Sequence, residues 1–134
     1  MIHLDTCFLV DLLREAKRGE PGPATAFLRA AETETIGISV FVACELRAGA
    51  QLSRRSPSEL DNVERLCRLL HVDYPDERFA PAYGVLFEQL SLARQQISTM
   101  DLLIATTATV AGAPLVTRNR KDFSRVPGLK IIEY

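Results

Sequence analysis

The sequence lacks the marks of several large protein classes. No apolar run approaches the roughly 18 residues that a membrane-spanning helix needs. The longest, 102–113, is broken by three threonines and a glycine. No basic opening stretch leads into an apolar one, so the chain is expected to start directly with strand and helix, without a leader peptide. Cysteine is scarce: Cys7, Cys44 and Cys67 are odd in number and form no CxxC pair. That argues against a disulfide framework or a zinc ribbon and fits a reducing cytosol. The two histidines, His3 and His71, have no partnering Cys/His set for zinc, and both fall where strands are expected, as core or edge residues. Charge of one sign is missing too. Sixteen basic residues nearly balance seventeen acidic ones, so no global positive field holds nucleic acid and any such contact must be local. There is no internal repeat and no low-complexity tract.

What remains is an ordinary globular composition: 134 residues, 47% hydrophobic and 25% charged. One domain over 1–134 is expected, long enough to bury a core without covalent staples. Ile2-His3-Leu4 reads as a buried strand, followed by a helix over 7–15 with Phe8, Leu9, Leu12 and Leu13 on one face. The run Lys17 to Pro23 breaks it. Further helices are expected over 24–34, 40–52 and 56–70, the last with Ser56 as its cap and Pro57 as its first residue. A long helix to Arg94 is capped by Asp76, and another, capped by Ser98 or Thr99, runs to Gly112. Strands fall at 36–39, 71–74, 115–117 and 129–132. This alternation predicts an α/β fold: a mainly parallel, short-stranded sheet with helices on both faces.

In such sheets ligands bind beyond the carboxyl ends of the strands, near the topological switch point. Four acids, Asp5, Glu45, Asp101 and Asp122, fall where that edge would gather them. Glu45 is the sharpest, because its helical neighbours Phe41, Ala48, Gly49 and Leu52 are apolar or small. A carboxylate on such a face is costly unless it is paired or metal-bound. The plain alternative is a boundary ion pair with Arg47 or Arg14. Asp5 and Asp101 could equally be helix caps or dipole partners, and Asp122 a turn residue. Independent caps, however, need not converge on one edge. Carboxylates with no basic partner suit a hard cation such as Mg2+, which takes oxygen ligands and keeps waters for a substrate phosphate. Thr6, Ser39, Thr117 and Asn119 are candidate supporting polar groups at the same edge, with capping and turn formation as their alternative. Arg118, Arg120 and Lys121 are the best-placed basic cluster for a nucleic-acid backbone, with a solvated loop as theirs.

The segments Leu4-Asp5-Thr6, Glu45-Leu46, Asp101 to Ala105, Leu115 to Asn119, and Asp122-Phe123 with Val126 to Leu129 together resemble a PIN domain, most closely the short toxins of VapBC-type toxin–antitoxin modules. The resemblance covers essentially the whole chain. It implies a PIN-like three-layer sandwich and a Mg2+- or Mn2+-dependent endoribonuclease of the cytoplasm. It also implies a homodimer, restrained by a small DNA-binding antitoxin. Asp5, Glu45, Asp101 and Asp122 match the family's acidic quartet, and Thr117 and Asn119 its T-x-N segment. Position 7 departs from the pattern: Cys7 stands where the family commonly has asparagine or another small polar residue. A phosphoacceptor receiver domain fits poorly, since only one acid follows the first strand. A haloacid-dehalogenase-type phosphatase needs D-x-D where this chain has Asp5-Thr6-Cys7. A catalytically silent PIN-fold RNA-binding or regulatory module remains the alternative from another class.

Overall fold

Short parallel strands alternate with helices throughout this computed structural model, which describes residues 1–134. The strands are β1 (Ile2–Leu4), β2 (Ile36–Ser39), β3 (His71–Asp73), β4 (Leu115–Val116) and β5 (Ile131–Ile132). The helices are α1 (Thr6–Arg18), α2 (Pro23–Ala30), α3 (Val40–Leu52), α4 (Ser56–Leu69), α5 (Phe79–Leu92), α6 (Thr99–Val110) and α7 (Arg120–Phe123). All five strands pair in parallel in the order β3-β2-β1-β4-β5. The chain steps outward from β1 to β3, then returns across the sheet to β4. Parallel crossovers are nearly always right-handed, so this reversal puts α1–α4 on one face and α5–α7 on the other. The packing agrees, with α1 on α2 and α3, α3 on α4, and α5 on α6.

The core lies between these layers and includes Leu4, Phe8, Leu9, Ile38, Val42, Ile104, Leu115, Val116 and Phe123. Helix α6 is the most buried of the helices. It accommodates threonines because Thr106, Thr107 and Thr109 donate their hydroxyls to the carbonyls one turn back, at 2.6, 2.9 and 2.9 Å. His3 is buried on β1 and reaches across β2 to accept a place beside Asp73, its Nε2 2.6 Å from Oδ2. Gly37 of β2 permits this, since a Cβ there would stand 3.3 Å from the His3 ring and 2.9 Å from Met1 Sδ. His71, on the sheet edge, binds the other oxygen of the same carboxylate at 2.6 Å. Burial, opposed by Asp73, lowers the His3 pKa below the usual imidazole value.

Several boundaries differ from the sequence pattern for local reasons. α1 runs one turn further, to Arg18, and stops at Gly19 in the left-handed region (φ 70°), with Lys17 and Arg18 against its negative end. α2 ends at Ala30 rather than Glu34, because the polar Glu32-Thr33-Glu34 segment has no apolar residue to bury and closes a turn on Ala31 instead. Ser56 is the first residue of α4 and not its cap: Arg55 occupies that position, and the Ser58 hydroxyl donates to its carbonyl at 3.1 Å. Asp76 caps the turn before α5, accepting the Arg78 N–H at 2.9 Å, and the helix itself starts at Phe79. The single-turn helix α7 had no periodicity to reveal it.

Candidate active site

The reversal of strand order lies between β1 and β4, and Asp5 stands at its carboxyl edge. Its backbone N–H donates to Val116 O at 3.0 Å, extending the β1–β4 pairing by one residue. Its side chain is 5% exposed and carries two duties. Oδ1 accepts the Thr6 N–H at 2.8 Å, capping α1. Oδ2 accepts the Thr117 hydroxyl at 2.7 Å and the Cys7 thiol at 3.3 Å. The expected cap is therefore made by one oxygen, Oδ1, while Oδ2 faces the segment after β4.

The neighbours are positioned by the same edge. Thr6 donates its hydroxyl to Glu45 Oε1 at 2.7 Å, tying α1 to α3. Glu45 forms no ion pair with Arg47 or Arg14; Arg14 instead faces Asp11 at 4.0 Å. Asp101 lies in the first turn of α6, where Ser98 caps the helix by accepting the Asp101 N–H at 3.1 Å. Asp122 sits in α7, and its Oδ2 accepts from Asn119 Nδ2 at 3.2 Å. The Asn119 N–H in turn donates to Thr117 Oγ1 at 2.9 Å, so Thr117 links Asp5 to the segment that carries Asp122. Ser39 is buried, and its hydroxyl caps α3 by accepting the Val42 N–H at 3.1 Å.

The electrostatics of Asp101 register the gathering. Burial pushes its carboxyl above the usual carboxylate range; the Ser98 hydrogen bond opposes this, and the charges of Asp5, Asp122 and Glu45 add to the rise. None of the four acids is in an ion pair with a basic side chain. Nor do any three such ligands stand close enough together to form a preformed metal cage. The donor chemistry nonetheless fits a hard divalent cation: every nearby donor except the Cys7 thiol is oxygen, the field is negative, and such ions bind through one or two carboxylates with waters completing the shell.

The basic cluster is divided. Arg118 turns back onto α1, with Nε 2.8 Å from Asp11 Oδ2, and Arg120 pairs with Glu133 at 3.1 Å. Lys121 is exposed and makes no ion pair. Two participants escape a sequence reading: Asp11 and Tyr134, which bond each other at 2.6 Å, because no local pattern links residues more than a hundred positions apart. Away from the acids, a groove of about 720 Å³ runs between α1, α3 and α4, lined by Val10, Leu13, Leu46, Ala50, Val63 and Leu66 among others.

With this geometry in hand, the chain can be set beside known proteins. Residues 2–129 match the family model for the PIN domain. The chain is 35% identical to Ribonuclease VapC2 of Rickettsia felis over 74% of each chain. It is 28% identical to Ribonuclease VapC1 of Methanocaldococcus jannaschii over 98% of this chain and 87% of that one. Among solved structures, it superposes with a TM-score of 0.88 and 29% identity on VapBC2 from Rickettsia felis bound to a DNA fragment from their promoter, covering 100% of this chain and 99% of the other.

Proposed function

This chain belongs to the PIN-domain family, in its VapC branch, and from that premise we propose that it is a Mg2+- or Mn2+-dependent endoribonuclease acting as the toxin of a toxin–antitoxin pair. The observation that carries the reading is the hydrogen-bonded edge at which Thr6 joins Asp5 to Glu45 and the Thr117–Asn119 segment joins Asp5 to Asp122, with no basic side chain paired to these acids or to Asp101. On this reading Asp5, Glu45, Asp101 and Asp122 hold the cation. When bound, the ion supplies positive charge to the phosphodiester and lowers the pKa of an attacking water. The chain's own groups do the positioning. Thr117 and Thr6 fix the two oxygens of Asp5, Thr6 orients Glu45, and Asn119 orients Asp122. Arg120 and Lys121 are exposed at this edge and suit phosphates of the RNA flanking the cut.

The whole of 1–134 acts, in this proposal, as a single PIN domain in the cytoplasm. No helix is long and apolar enough to cross a membrane. A homodimer is favoured by a ladder of aromatic rings, Phe41, Phe79, Tyr83 and Phe87, with centroids 5.8, 6.3 and 6.2 Å apart. It ends at Phe87, which is 53% exposed. The antitoxin partner is supported by the similarity to VapBC2. A segment of it laid along the α1–α3–α4 groove, with an arginine placed against the four carboxylates, would exclude cation and RNA together. The test is cleavage of a structured RNA by the purified protein. Activity should vanish in EDTA and return with Mg2+ or Mn2+. An inert protein at saturating metal, with RNA still bound, would leave the silent RNA-binding module standing.

A further inference from the structure

Where α1 meets the segment after β4, three side chains close a ring. The Tyr134 hydroxyl donates to Asp11 Oδ2 at 2.6 Å and accepts from Arg118 Nε at 3.1 Å. Arg118 completes it with Nε 2.8 Å from Asp11 Oδ2 and Nη2 3.1 Å from Oδ1. The Tyr134 ring stands edge-on to Phe8 at 4.6 Å, and Phe8 packs edge-on to Phe27 at 5.6 Å. The Tyr134 end of the ring thus rests on the core, while the Arg118 end is exposed. Burial and the bond to Asp11 keep the phenol protonated far above the usual tyrosine range, so it remains a donor.

The location gives this ring its consequence. Asp11 lies on α1, the helix that Asp5 caps, while Arg118 follows Thr117 directly. The Arg118 N–H donates to Cys7 Sγ at 3.4 Å, and Cys7 Sγ is 3.3 Å from Asp5 Oδ2 and 3.5 Å from Thr117 Oγ1. The Cys7 side chain at this junction is a thiol, which is a weak hydrogen-bonding group. The junction between α1 and the segment after β4 therefore has less hydrogen bonding of its own to hold it.

We infer that Asp11, Arg118 and Tyr134 form a positioning clamp that holds Thr117 against Asp5 and so sets the geometry of the acidic site. This rests on the metal-dependent reading above. It assigns Arg118 to the protein's own scaffold and not to the RNA backbone, and it gives Tyr134 a role in a reaction it does not touch. Groups that orient metal-binding carboxylates typically alter affinity or activity about 10–100-fold when removed.

Tyr134→Phe tests this, because it keeps the ring against Phe8 and removes only the hydroxyl. The full-length protein should show kcat lowered about tenfold or more, an unchanged KM for RNA, and a Mn2+ midpoint raised by a similar factor. The rise in Tm produced by Mn2+ should also shrink, a readout that needs no catalysis. A purely structural contact would lower Tm in EDTA and leave the Mn2+ midpoint where it was, and that result overturns the clamp. Asp11→Asn, which keeps the shape and loses the charge, should move the same quantities in the same direction if Tyr134→Phe is poorly folded. Should Arg118→Gln raise KM and weaken the salt dependence of RNA binding while Tyr134→Phe behaves as wild type, Arg118 is an RNA contact and the clamp is wrong. A wild-type protein with neither cleavage nor a Mn2+-induced rise in Tm overturns the function reading and the clamp together; a normal wild-type response with an unaltered Tyr134→Phe overturns the clamp alone.

Discussion

Thr117→Val is the most informative single perturbation of this edge. The residue is fully buried, donates to Asp5 Oδ2 at 2.7 Å and accepts the Asn119 N–H at 2.9 Å. Valine keeps the branched shape and deletes both bonds. A hydrogen bond to a charged group is worth about 1.5–3 kcal/mol net. Leaving the Asn119 N–H without its partner adds about 1 kcal/mol, at the low end because Asn119 is half-buried and water can reach it. Burying one more methyl returns roughly 1 kcal/mol. The sum is a loss of about 1.5–3 kcal/mol, or a fall of about 5–11 °C in Tm for a chain of this length. Urea unfolding in EDTA, followed by circular dichroism, measures it without interference from metal. Thr117→Ser is the control: it retains the hydroxyl and loses one buried methyl, about 1 kcal/mol. Valine should therefore be the more damaging of the two, although it is the more apolar. If valine costs less than about 0.5 kcal/mol, or less than serine, the Thr117–Asp5 bond does not hold the edge and the reasoning fails.

Asp101→Asn should reduce cleavage by orders of magnitude, yet stabilise the metal-free protein at pH 7. Burial, and then the charges of Asp5, Asp122 and Glu45, raise the Asp101 carboxyl; an acid raised in the fold loses native stability as pH rises through its folded pKa and regains it as pH falls toward the unfolded value. Thermal melts in EDTA at pH 7 and pH 4 should show the variant's advantage only at the higher pH; an advantage at both would point elsewhere. Glu15 works in the opposite sense. It is 3% exposed and, although burial alone would raise it, the N–H groups of Gly22, Ala24 and Thr25 lower it to about 2. Its contribution is therefore complete above the ordinary value of 4.5 and lost as pH falls toward 2, so Glu15→Gln should flatten the acid limb of a stability–pH curve. Finally, Arg94 ends α5 with φ 54°, where the Gln95 N–H closes back onto Leu90 O at 2.9 Å. Arg94→Gly should stabilise by about 0.5–1 kcal/mol, after glycine's greater entropy in the unfolded chain is subtracted; a lower urea midpoint would mean that the arginine side chain holds a contact worth more than the strain.

The sequence by itself determined the local parts. Alternating short apolar strands and amphipathic helices gave a parallel α/β sheet. Ser98 before an acidic first turn started α6, because caps act within a few residues of themselves; the break over 17–23 was legible too, although α1 ran past the expected end at Glu15 to stop at Gly19. Asp5 after β1 was legible for the same reason. Glu45 stood out on the expectation of a desolvated apolar face, but it is half-buried and its neighbours Ala48, Gly49 and Leu52 are exposed, because α3 turns Val42, Leu46 and Ala50 to the core instead. The tertiary structure alone decided what met what. The β3-β2-β1-β4-β5 order put β1 beside β4, and with it Thr117 beside Asp5 across 112 positions. It also engaged Arg118, which stays exposed, with Asp11 and Tyr134, against the expectation of a free basic cluster. Periodicity records which face of an element is apolar and does not record which element lies across from it. A hydrogen bond between distant residues exists only after strand order and register have been chosen by the burial of the whole core.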